Sequence, residues 1–543
     1  MRNMRPLKII MMLILIAIMM GQLTYANSEP VIDVGLSYGS VSTGPFDVES
    51  SNGFEFGIDS KAGGFISLMN LGANNRLKIQ KDEGYHLKLG KAYPNHEMAQ
   101  LDFIRLKSID EAVYMAYDGQ WHILFGDFAS EQEAMIATGS IGIKFGLDMV
   151  QTFDFGNTGV LLSADGVPVL SYDSSIPETM FKSDVFKFRQ VQYRNGFLVK
   201  RLPGSDMTFI NRVGMSHYLY GVLPKEMSGD WPIEALKAQA VAARNYAIQS
   251  VGKYGEFGFD VCDTIKSQVY GGYSVEKPMS NLAVDATAGM VLTYQGLLAQ
   301  CYYHSNSGGY TDSPENIWSA EIPYLKPVED PFSLGAPNTD WQLVMNNLEI
   351  EQKLLIAGYN IGKLDKIRIL QRTENGRAVT VQFVGTMSTA TLYKEKTRSI
   401  LGTTTLKSLM FSFDPSTAVT KIPERLPAPG VVLAPKIALS SEGAYAEYET
   451  KDSIRVVTSR GTTLFRINRI EPPQQIVTTT VDVFEEVDAK IGSVTFYGHG
   501  YGHGLGMSQW GAKKMAELGF DYTKILAHYY NDTRLDAIYN KQN

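Results

Sequence analysis

The segment GVLPKEMSGDWPIEALKAQAVAARNYA, residues 221–247, contains the clearest helix signal in the chain. Apolar residues recur at helical spacing from Ile233 to Ala247, and alanine, the best helix former, fills many of the remaining positions. Pro232 is tolerated in a first turn, and Gly252 offers a stop. The pattern predicts a rigid, buried helix with one carboxylate, Glu226, just ahead of it.

A rigid helix is a suitable support for a catalytic group placed at its start. The amino end of a helix favours the ionised form of a nearby carboxyl group, whereas burial against Met227 and Trp231 favours the protonated form. A general acid requires the second influence to win. The residues alone leave two interpretations of Glu226, a general acid or a solvated loop carboxylate.

Composition limits the classes of function. The chain has 543 residues, which is too long for one ordinary domain, and it is 44% hydrophobic and 20% charged, as globular proteins are. A net charge of −7 argues against nucleic acid as the main partner. Two cysteines, Cys262 and Cys301, are too few for a disulfide framework, and the sequence leaves open a single bridge between them.

The first 26 residues resemble a secretory leader. Arg2, Arg5 and Lys8 precede an apolar run at 9–20, and the small-residue site Thr24-Tyr25-Ala26 follows. Twelve apolar residues are few for a membrane span. We therefore expect a secreted, cell-wall-associated protein, with membrane attachment only if this segment is left uncleaved.

The remaining chain predicts a multi-domain α+β protein. Its core is β-rich around the Ala-rich helix, and a small βαββα module precedes the core. Within these parts, Asp118-Gly119 and Asn195-Gly196 predict hairpin turns. The predicted segments are a β-rich stretch at 31–79, the module at 80–145, the first part of the core at 146–413, a Pro-rich linker at 414–436, a β-rich insertion at 437–485, and the end of the core at 486–543.

The predicted module resembles a known glycan-binding domain. WHILFGDFASEQEA, residues 121–134, is similar to the later part of a SPOR domain, with Gly126, Phe128 and Ala134 at the positions of that pattern. The resemblance implies binding of glycan strands stripped of peptide. The alternative is a generic ferredoxin-like fold.

Four blocks of the chain, in order, resemble the SpoIID/LytB family. They are YLYGVLPKEMSGDWPIEALKAQAVAARNYA (218–247), CDTIKSQVYGGYSVE (262–276), CYYHSNSGGYTDSPENIW (301–318) and GHGYGHGLGMSQWGAKKMAELGFDYTKILAHYYNDT (498–533). The sporulation members are lytic transglycosylases that cut peptidoglycan between N-acetylmuramic acid and N-acetylglucosamine. The resemblance implies that Glu226, in the family's "EM" motif, is the catalytic acid and base.

A lytic reaction needs only one carboxylate. Ordinary glycosidases use two, whereas the substrate's own C6 hydroxyl attacks in a lytic enzyme. Asp230, Glu234 and Asp263 are nearby in sequence, so a two-carboxylate hydrolase remains an alternative.

The other blocks supply candidates for substrate binding. Their glycines let the backbone approach a ligand closely, and their polar side chains can form hydrogen bonds with sugars. The candidates are Arg244, Gln268, Tyr270, Ser305, Ser307, Gly308, Gly309, His499, His503, Ser508 and Gln509.

We expect no metal and no other cofactor. Some relatives bind zinc through Cys and His around the CDT…QVY block, but Lys266 and Ser267 occupy the expected ligand positions beside Cys262. His499 and His503 are four residues apart, yet they lie in a Gly-rich loop without an HExxH pattern. Cys301 and His304 are a weaker pair, too few for zinc and a weak candidate for a nucleophile with its base.

A second function remains open. LytB-type members share these motifs and imply a non-catalytic protein that binds peptidoglycan and stimulates a cell-wall amidase. The expected partners are therefore peptidoglycan glycan strands and, in the second case, an amidase.

Overall fold

The computed structural model describes residues 29–61, 64–72, 74–110, 112–146, 150–318, 320–416, 444–450, 453–458, 461–466, 485–489 and 492–538. The expected leader and nearly all of the expected Pro-rich linker lie outside these ranges. The described chain is a strand-rich α+β protein, which confirms the predicted class. It forms two compact units, one made of the chain up to Glu226 with Ser250–Asn281 and one made of Met227–Gln249 with the chain from Leu282.

The first unit is built on one large sheet. Its strands are β1 (Val31–Ser37), β2 (Phe46–Glu49), β3 (Glu55–Ser60), β4 (Gly64–Asn70), β5 (Arg76–Lys81), β6 (Tyr85–Leu89), β7 (Tyr114–Tyr117), β8 (Trp121–Phe128), β9 (Val150–Phe153), β10 (Gly159–Ala164), β11 (Val167–Asp173), β12 (Thr179–Phe188), β13 (Val191–Leu202), β14 (Ser205–Gly214) and β15 (Val261–Cys262). Paired neighbours follow the order β15-β1-β14-β13-β12-β2-β5-β10-β11-β7-β8-β6-β9, while β3 pairs with β12 and β4.

The segment at 80–145 contains, in order, a strand, a helix, two strands and a second helix. Its helices are α1 (His96–Lys107) and α2 (Glu131–Phe145), which begin after the capping side chains of Asn95 and Ser130. Gly119, with φ +101°, turns β7 into β8, so the Asp118-Gly119 prediction is confirmed. Strand β7 pairs in parallel with β11, so this module continues the sheet of the residues that follow it.

The predicted hairpin at Asn195-Gly196 is wrong. Strand β13 runs through both residues, and Asn195 lies opposite a bulge in β12, where Ser183 and Asp184 together face it. The amide of Asn211 donates to the carbonyl oxygens of Arg194 and Gly196 at 2.9 and 2.8 Å. The chain turns instead at Arg189 and Gln190, both with positive φ.

One further helix of the first unit, α3 (Met215–Glu226), follows β14 directly. Short 3-10 turns lie at Gly156–Thr158, Gly255–Phe257 and Tyr273–Val275. The aromatic core of the sheet includes the stacked rings of Phe188 and Phe209, whose centroids are 4.0 Å apart.

The second unit contains the Ala-rich helix and several small sheets. The helices are α4 (Ile233–Gln249), α5 (Pro278–Ala286, which begins in the first unit), α6 (Pro314–Ile317), α7 (Asn347–Ile356), α8 (Glu395–Leu401), α9 (Gln509–Glu517) and α10 (Tyr522–Tyr529), with a 3-10 turn at Pro331–Ser333. The strands are β16 (Met290–Tyr294), β17 (Leu297–Leu298), β18 (Tyr303–His304), β19 (Asp340–Asn346), β20 (Leu364–Arg372), β21 (Ala378–Gly385), β22 (Thr389–Tyr393), β23 (Phe411–Ser412), β24 (Ala444–Thr450), β25 (Ser453–Thr458), β26 (Gly461–Arg466), β27 (Glu485–Asp488), β28 (Ser493–His499), β29 (Met507–Ser508) and β30 (Arg534–Ala537).

These strands form five sheets, ordered β17-β16-β30, β18-β29, β19-β28-β23, β22-β21-β20-β27 and β24-β25-β26. The last of them falls in the expected β-rich insertion. Ile367, Val381 and Phe383, all fully buried, lie in the core between α7 and its neighbouring sheets. In the part of the chain that the structure describes, no helix is both long and apolar enough to span a bilayer.

Candidate functional site

Glu226 ends one helix and precedes another. Sequence patterns predict the Ala-rich helix after it, and α4 begins at Ile233 as expected. They miss α3, whose last residue is Glu226 and whose final turn contains Pro224. Glu226 is half-buried.

Helix α3 packs closely on the loop that contains the QVYGG motif. A Cβ atom at Gly221 would lie 2.5 Å from the ring of Tyr270, so only glycine fits at this point of the helix. The carbonyl oxygen of Gly221 accepts a hydrogen bond from the N–H of Gly271 at 3.0 Å. The hydroxyl of Tyr218 donates to Gln268 Oε1 at 3.1 Å.

These contacts change the predicted roles of Gln268 and Tyr270. Both side chains are buried beneath α3, and the Tyr270 hydroxyl donates to Asn211 Oδ1 at 2.8 Å. A side chain enclosed in this way supports the helix rather than contacting substrate. The two residues thus position the helix that carries Glu226.

Asp263 lies in the same loop and is the second carboxyl group of interest. Burial raises its pKa to about 6. Its backbone oxygen accepts from the N–H of Tyr270 at 3.0 Å, which ties it to the loop beneath α3. A carboxyl group with this pKa can hold a proton close to neutral pH.

Of the other two carboxylates considered, Asp230 is exposed and Glu234 is engaged within the second unit. Glu234 forms an ion pair with Lys237 at 2.7 Å and accepts from the N–H of Tyr522 at 2.8 Å. These bonds fix the start of α4 against α10.

The surroundings of Cys262 do not fit a zinc ion. The thiol lies 3.2 to 3.5 Å from the hydroxyl groups of Tyr254, Thr264 and Ser267. Burial opposes ionisation of the thiol, but hydrogen bonds from these hydroxyls outweigh burial and lower the pKa of Cys262 to about 7. Hydroxyl groups replace the Cys and His ligands that zinc prefers. Among the described ranges no three His, Cys, Asp or Glu side chains group as metal ligands.

The cysteines are both free thiols, so the bridge left open by the sequence does not form here. Cys301 is fully enclosed, and burial raises the pKa of its thiol well above the ordinary value. A buried, protonated thiol is a poor nucleophile. The weak pairing of Cys301 with His304 therefore gains no support.

In the second unit, Arg244 stabilises the fold around the Ala-rich helix. Its guanidinium is completely buried and donates to the carbonyl oxygens of Met290 and Val284 at 3.0 and 3.4 Å. The neighbouring Asn245 donates to Leu292 and Ala299. These bonds attach α4 to β16, which differs from the predicted contact of Arg244 with substrate.

The SNSGG and GHGYGHG loops, predicted separately, pack together. Asn306 and Tyr501 exchange two backbone hydrogen bonds of 3.0 and 2.7 Å. Gly308, with φ +74°, is so close that a Cβ atom there would lie 2.9 Å from the nitrogen of Gly500. The glycines at 308 and 309 are buried, so they allow loop packing instead of ligand approach.

A buried carboxylate that sequence analysis missed organises this region. Asp330 accepts from the hydroxyls of Ser307 and Tyr529 at 2.7 and 3.0 Å. Ser508, also buried, caps α9 by accepting from the N–H of Gly511 at 3.2 Å. Ser307 and Ser508 are therefore internal, contrary to their predicted role in substrate binding, and no local pattern identified Asp330 beforehand.

Three predicted residues of this unit are open in part: Ser305, His499 and His503. His499 Nδ1 lies 2.7 Å from Asp340 Oδ1. Burial, followed by the charges of Arg398 and Arg377, lowers the pKa of His503 to about 3. A neutral imidazole can donate or accept a hydrogen bond with a sugar hydroxyl.

Gln509 links the last motif to the Ala-rich helix. Its side chain is largely buried, and Nε2 lies 3.5 Å from Oε1 of Gln239 on α4. The next residue, Trp510, packs on Trp231 with ring centroids 4.7 Å apart, and both rings remain half-exposed. The two rings together offer an apolar surface in the second unit.

Comparison with known proteins identifies similar sequences for part of the chain. Residues 204–294 match the family described as stage II sporulation protein, SpoIID. The amidase enhancer of Bacillus subtilis is 33% identical over 319 residues, which cover 59% of this chain and 40% of that protein. Stage II sporulation protein D of the same organism is 27% identical over 350 residues, covering 61% and 78%.

An uncharacterized protein of Brachyspira hyodysenteriae is 28% identical over 364 residues, which cover 66% of this chain and 76% of that protein. The match spans less than half of the amidase enhancer, so that protein's full activity does not transfer directly. The family match contains Glu226, the helix that carries it and the QVYGG loop beneath it. Residues 204–294 therefore match a SpoIID domain, and over a longer stretch the chain is similar to the amidase enhancer and stage II sporulation protein D.

Proposed function

We propose that this protein is a peptidoglycan lytic transglycosylase in which Glu226 is the catalytic acid and base. The observation that carries the proposal is the position of Glu226, half-buried at the end of a helix that Gln268 and Tyr270 hold from beneath. A catalytic carboxyl group needs this combination of fixed position and partial shielding.

The proposed reaction cleaves the bond between N-acetylmuramic acid and N-acetylglucosamine. The protonated carboxyl of Glu226 donates its proton to the glycosidic oxygen as the bond from C1 of the muramyl residue breaks. The C6 hydroxyl of the same residue then attacks C1 and loses its proton to the Glu226 carboxylate. The products are a free 4-hydroxyl end and an anhydro-muramyl end, and no water is consumed.

The matched variant is Glu226→Gln, which keeps the shape of the side chain but cannot donate an acidic proton. We expect the rate of anhydro-muramyl formation to fall by about 10²–10⁴-fold, the usual contribution of a general acid–base group. Mass spectrometry of purified glycan strands digested with each protein measures this, and circular dichroism checks folding. A folded variant with full activity would contradict the proposal.

Two other outcomes of this experiment would indicate a different function. Reducing ends in place of anhydro ends would indicate hydrolysis, and Asp263, whose pKa is raised to about 6, is then the second carboxyl group to test. Glycan left intact by the wild-type protein, with faster peptide release by an added amidase, would support the alternative function. The 33% identity to an amidase enhancer is the observation that favours this alternative.

We also propose that the module at 80–145 contributes to glycan binding and that the protein acts outside the cytoplasmic membrane at the cell wall. The SPOR-like pattern around Gly126 supports the first proposal, and the sporulation and amidase-enhancer relatives support the second. In a pull-down assay, the Glu226→Gln protein should retain peptide-free strands better than intact peptidoglycan, and equal retention of the two would contradict the first proposal.

A further inference from the structure

A cleft of about 600 Å³ opens on the first unit. Its walls come from β2, β12, the start of β5 and the 3-10 turn that contains Tyr273. Most of these residues precede the SpoIID match at 204–294, so the family match does not account for the cleft. Its lining combines two aromatic rings, those of Tyr273 and the buried Phe186, with two cations, one carboxylate and several amide and hydroxyl groups. Such a mixture of apolar and polar groups is typical of ligand sites.

The aromatic wall of the cleft is held in place. Tyr273 is 39% exposed, and the guanidinium of Arg194 lies 4.5 Å from the centroid of its ring. Glu276 accepts two hydrogen bonds from Arg194, at 2.6 and 2.9 Å, and so fixes the guanidinium. A fixed, partly open ring provides apolar surface at low entropic cost, as the C–H face of a sugar requires.

The charged wall favours an anion. Arg76 Nε lies 3.7 Å from one oxygen of Glu49, and Lys187 Nζ lies 3.5 Å from the other. Two cations thus share one carboxylate, which leaves one positive charge in excess. Both cations are open to a ligand, since the side chains of Arg76 and Lys187 are 66% and 37% exposed.

The cleft is connected to the helix that ends at Glu226. Arg194 lies between the ring of Tyr273 and that of Tyr220, 6.0 Å from the latter. Tyr220 belongs to α3. Arg194 therefore links the aromatic wall of the cleft to this helix, within the same unit.

We propose that this cleft binds a sugar residue that carries a carboxylate, such as the muramyl unit of a glycan strand. Tyr273 contacts the apolar face of the sugar, Arg76 and Lys187 bind its carboxylate, and the side chains of Asn75 and Gln192 form hydrogen bonds with its hydroxyl and acetamido groups. The identity of the polymer rests on the proposed function, whereas the charge preference rests on the cleft itself.

The test measures binding of two soluble probes to the full chain carrying Glu226→Gln. One probe is the disaccharide of N-acetylglucosamine and N-acetylmuramic acid, and the other is chitobiose, which has no carboxylate. We expect the charged disaccharide to bind about tenfold more tightly by calorimetry, and we expect added salt to reduce this preference.

Variants then locate the preference. Arg76→Gln and Lys187→Gln should each remove most of it and leave chitobiose binding unchanged, whereas Tyr273→Ala should weaken both probes. Lys182→Gln is the matched control, because Lys182 is an exposed lysine on the same strand and does not line the cleft. Equal affinities for the two probes, or a preference that survives Arg76→Gln and Lys187→Gln, would overturn the inference.

The outcome is separable from that of the proposed function. Charge-dependent binding by a wild-type protein that cleaves no glycan would keep the cleft and reject the enzyme. Cleavage of glycan strands by a protein without charge-dependent binding would keep the enzyme and reject the cleft.

Discussion

Gly221 determines how closely the helix that carries Glu226 approaches the loop beneath it. The ring of Tyr270 fills the space that a Cβ atom would need, and Tyr218 packs against that ring with centroids 5.2 Å apart. Buried aromatic neighbours cannot move aside without loss of packing. The position of Glu226 therefore depends on the absence of a Cβ atom at Gly221, five residues earlier.

Gly221→Ala should reduce both stability and activity. The added methyl group meets the Tyr270 ring at 2.5 Å, so overpacking should cost about 1–3 kcal/mol of unfolding free energy. Gly139→Ala is the matched control, because that glycine also lies in a helix but has no neighbour within 4 Å of an added Cβ atom. Urea unfolding and anhydro-muramyl assays of both variants check this, and equal behaviour would contradict it.

The pKa of Asp263 implies a pH dependence of stability. Burial raises that pKa from 3.8 to about 6, so the folded protein keeps a proton that the unfolded chain has already lost. The resulting stabilisation is complete below about pH 4 and is lost as the pH rises past about 6. After discounting for partial exposure, we expect wild type to lose about 1–2 kcal/mol relative to Asp263→Asn between pH 4 and pH 7. Urea unfolding of both proteins measures this, and parallel pH profiles would disprove the assignment.

Among the secondary-structure elements, sequence patterns predicted those helices and turns that depend mainly on interactions between neighbouring residues. Helices α1, α2 and α4 follow from local sequence pattern, and the Asp118-Gly119 turn follows from glycine conformation. Asn195-Gly196 has the same turn chemistry, yet it stays within β13 opposite a bulge in β12, and Asn211 on the next strand donates to the carbonyl oxygens of Arg194 and Gly196. Contacts between distant parts of the chain decide such cases.

The same reason explains which site residues were misjudged. Glycine content and polar side chains led us to predict substrate-binding roles for the loops at 305–309 and 498–509. Their sequences do not reveal that the loops pack on each other and on Arg377, or that Ser307 bonds to Asp330. Burial of a polar residue depends on its partner, and the partner lies far away in sequence.

Gly504→Ala should show how far the second glycine loop depends on Arg377. A Cβ atom at Gly504 would lie 2.4 Å from the buried guanidinium, which donates to the carbonyl oxygens of Ser307 and Tyr310. Gly492→Ala is the control, because Gly492 has nearly the same φ, +83° against +84°, and no neighbour within 4 Å. Both variants incur the left-handed strain of about 1–2 kcal/mol.

Only Gly504→Ala must also displace Arg377. We therefore expect its unfolding free energy to be lower than that of Gly492→Ala by about 1–3 kcal/mol. Thermal unfolding of the two variants gives the difference. Equal melting temperatures would mean that the loop moves away from Arg377 without cost.

For the whole molecule, the chain alternates between its two compact units. It leaves the first unit after Glu226, returns at Ser250, and leaves again after Asn281. Strand pairings across long stretches of sequence, such as Val31 opposite Gly214, create this division. Segment composition cannot reveal them, so the sequence predicted the class of the fold and many of its elements but not the grouping of those elements.

The expected leader makes a prediction about the mature protein. The basic start, the apolar run at 9–20 and the small residue Ala26 predict cleavage before Asn27 and export across the cytoplasmic membrane. Ala26→Phe should prevent cleavage, because the processing site requires a small side chain, and should leave the protein attached to the membrane. N-terminal sequencing of the exported protein and fractionation of the variant check both statements. Wild-type protein that begins at Met1 in the cytosol would contradict the leader and, with it, access of Glu226 to the cell wall.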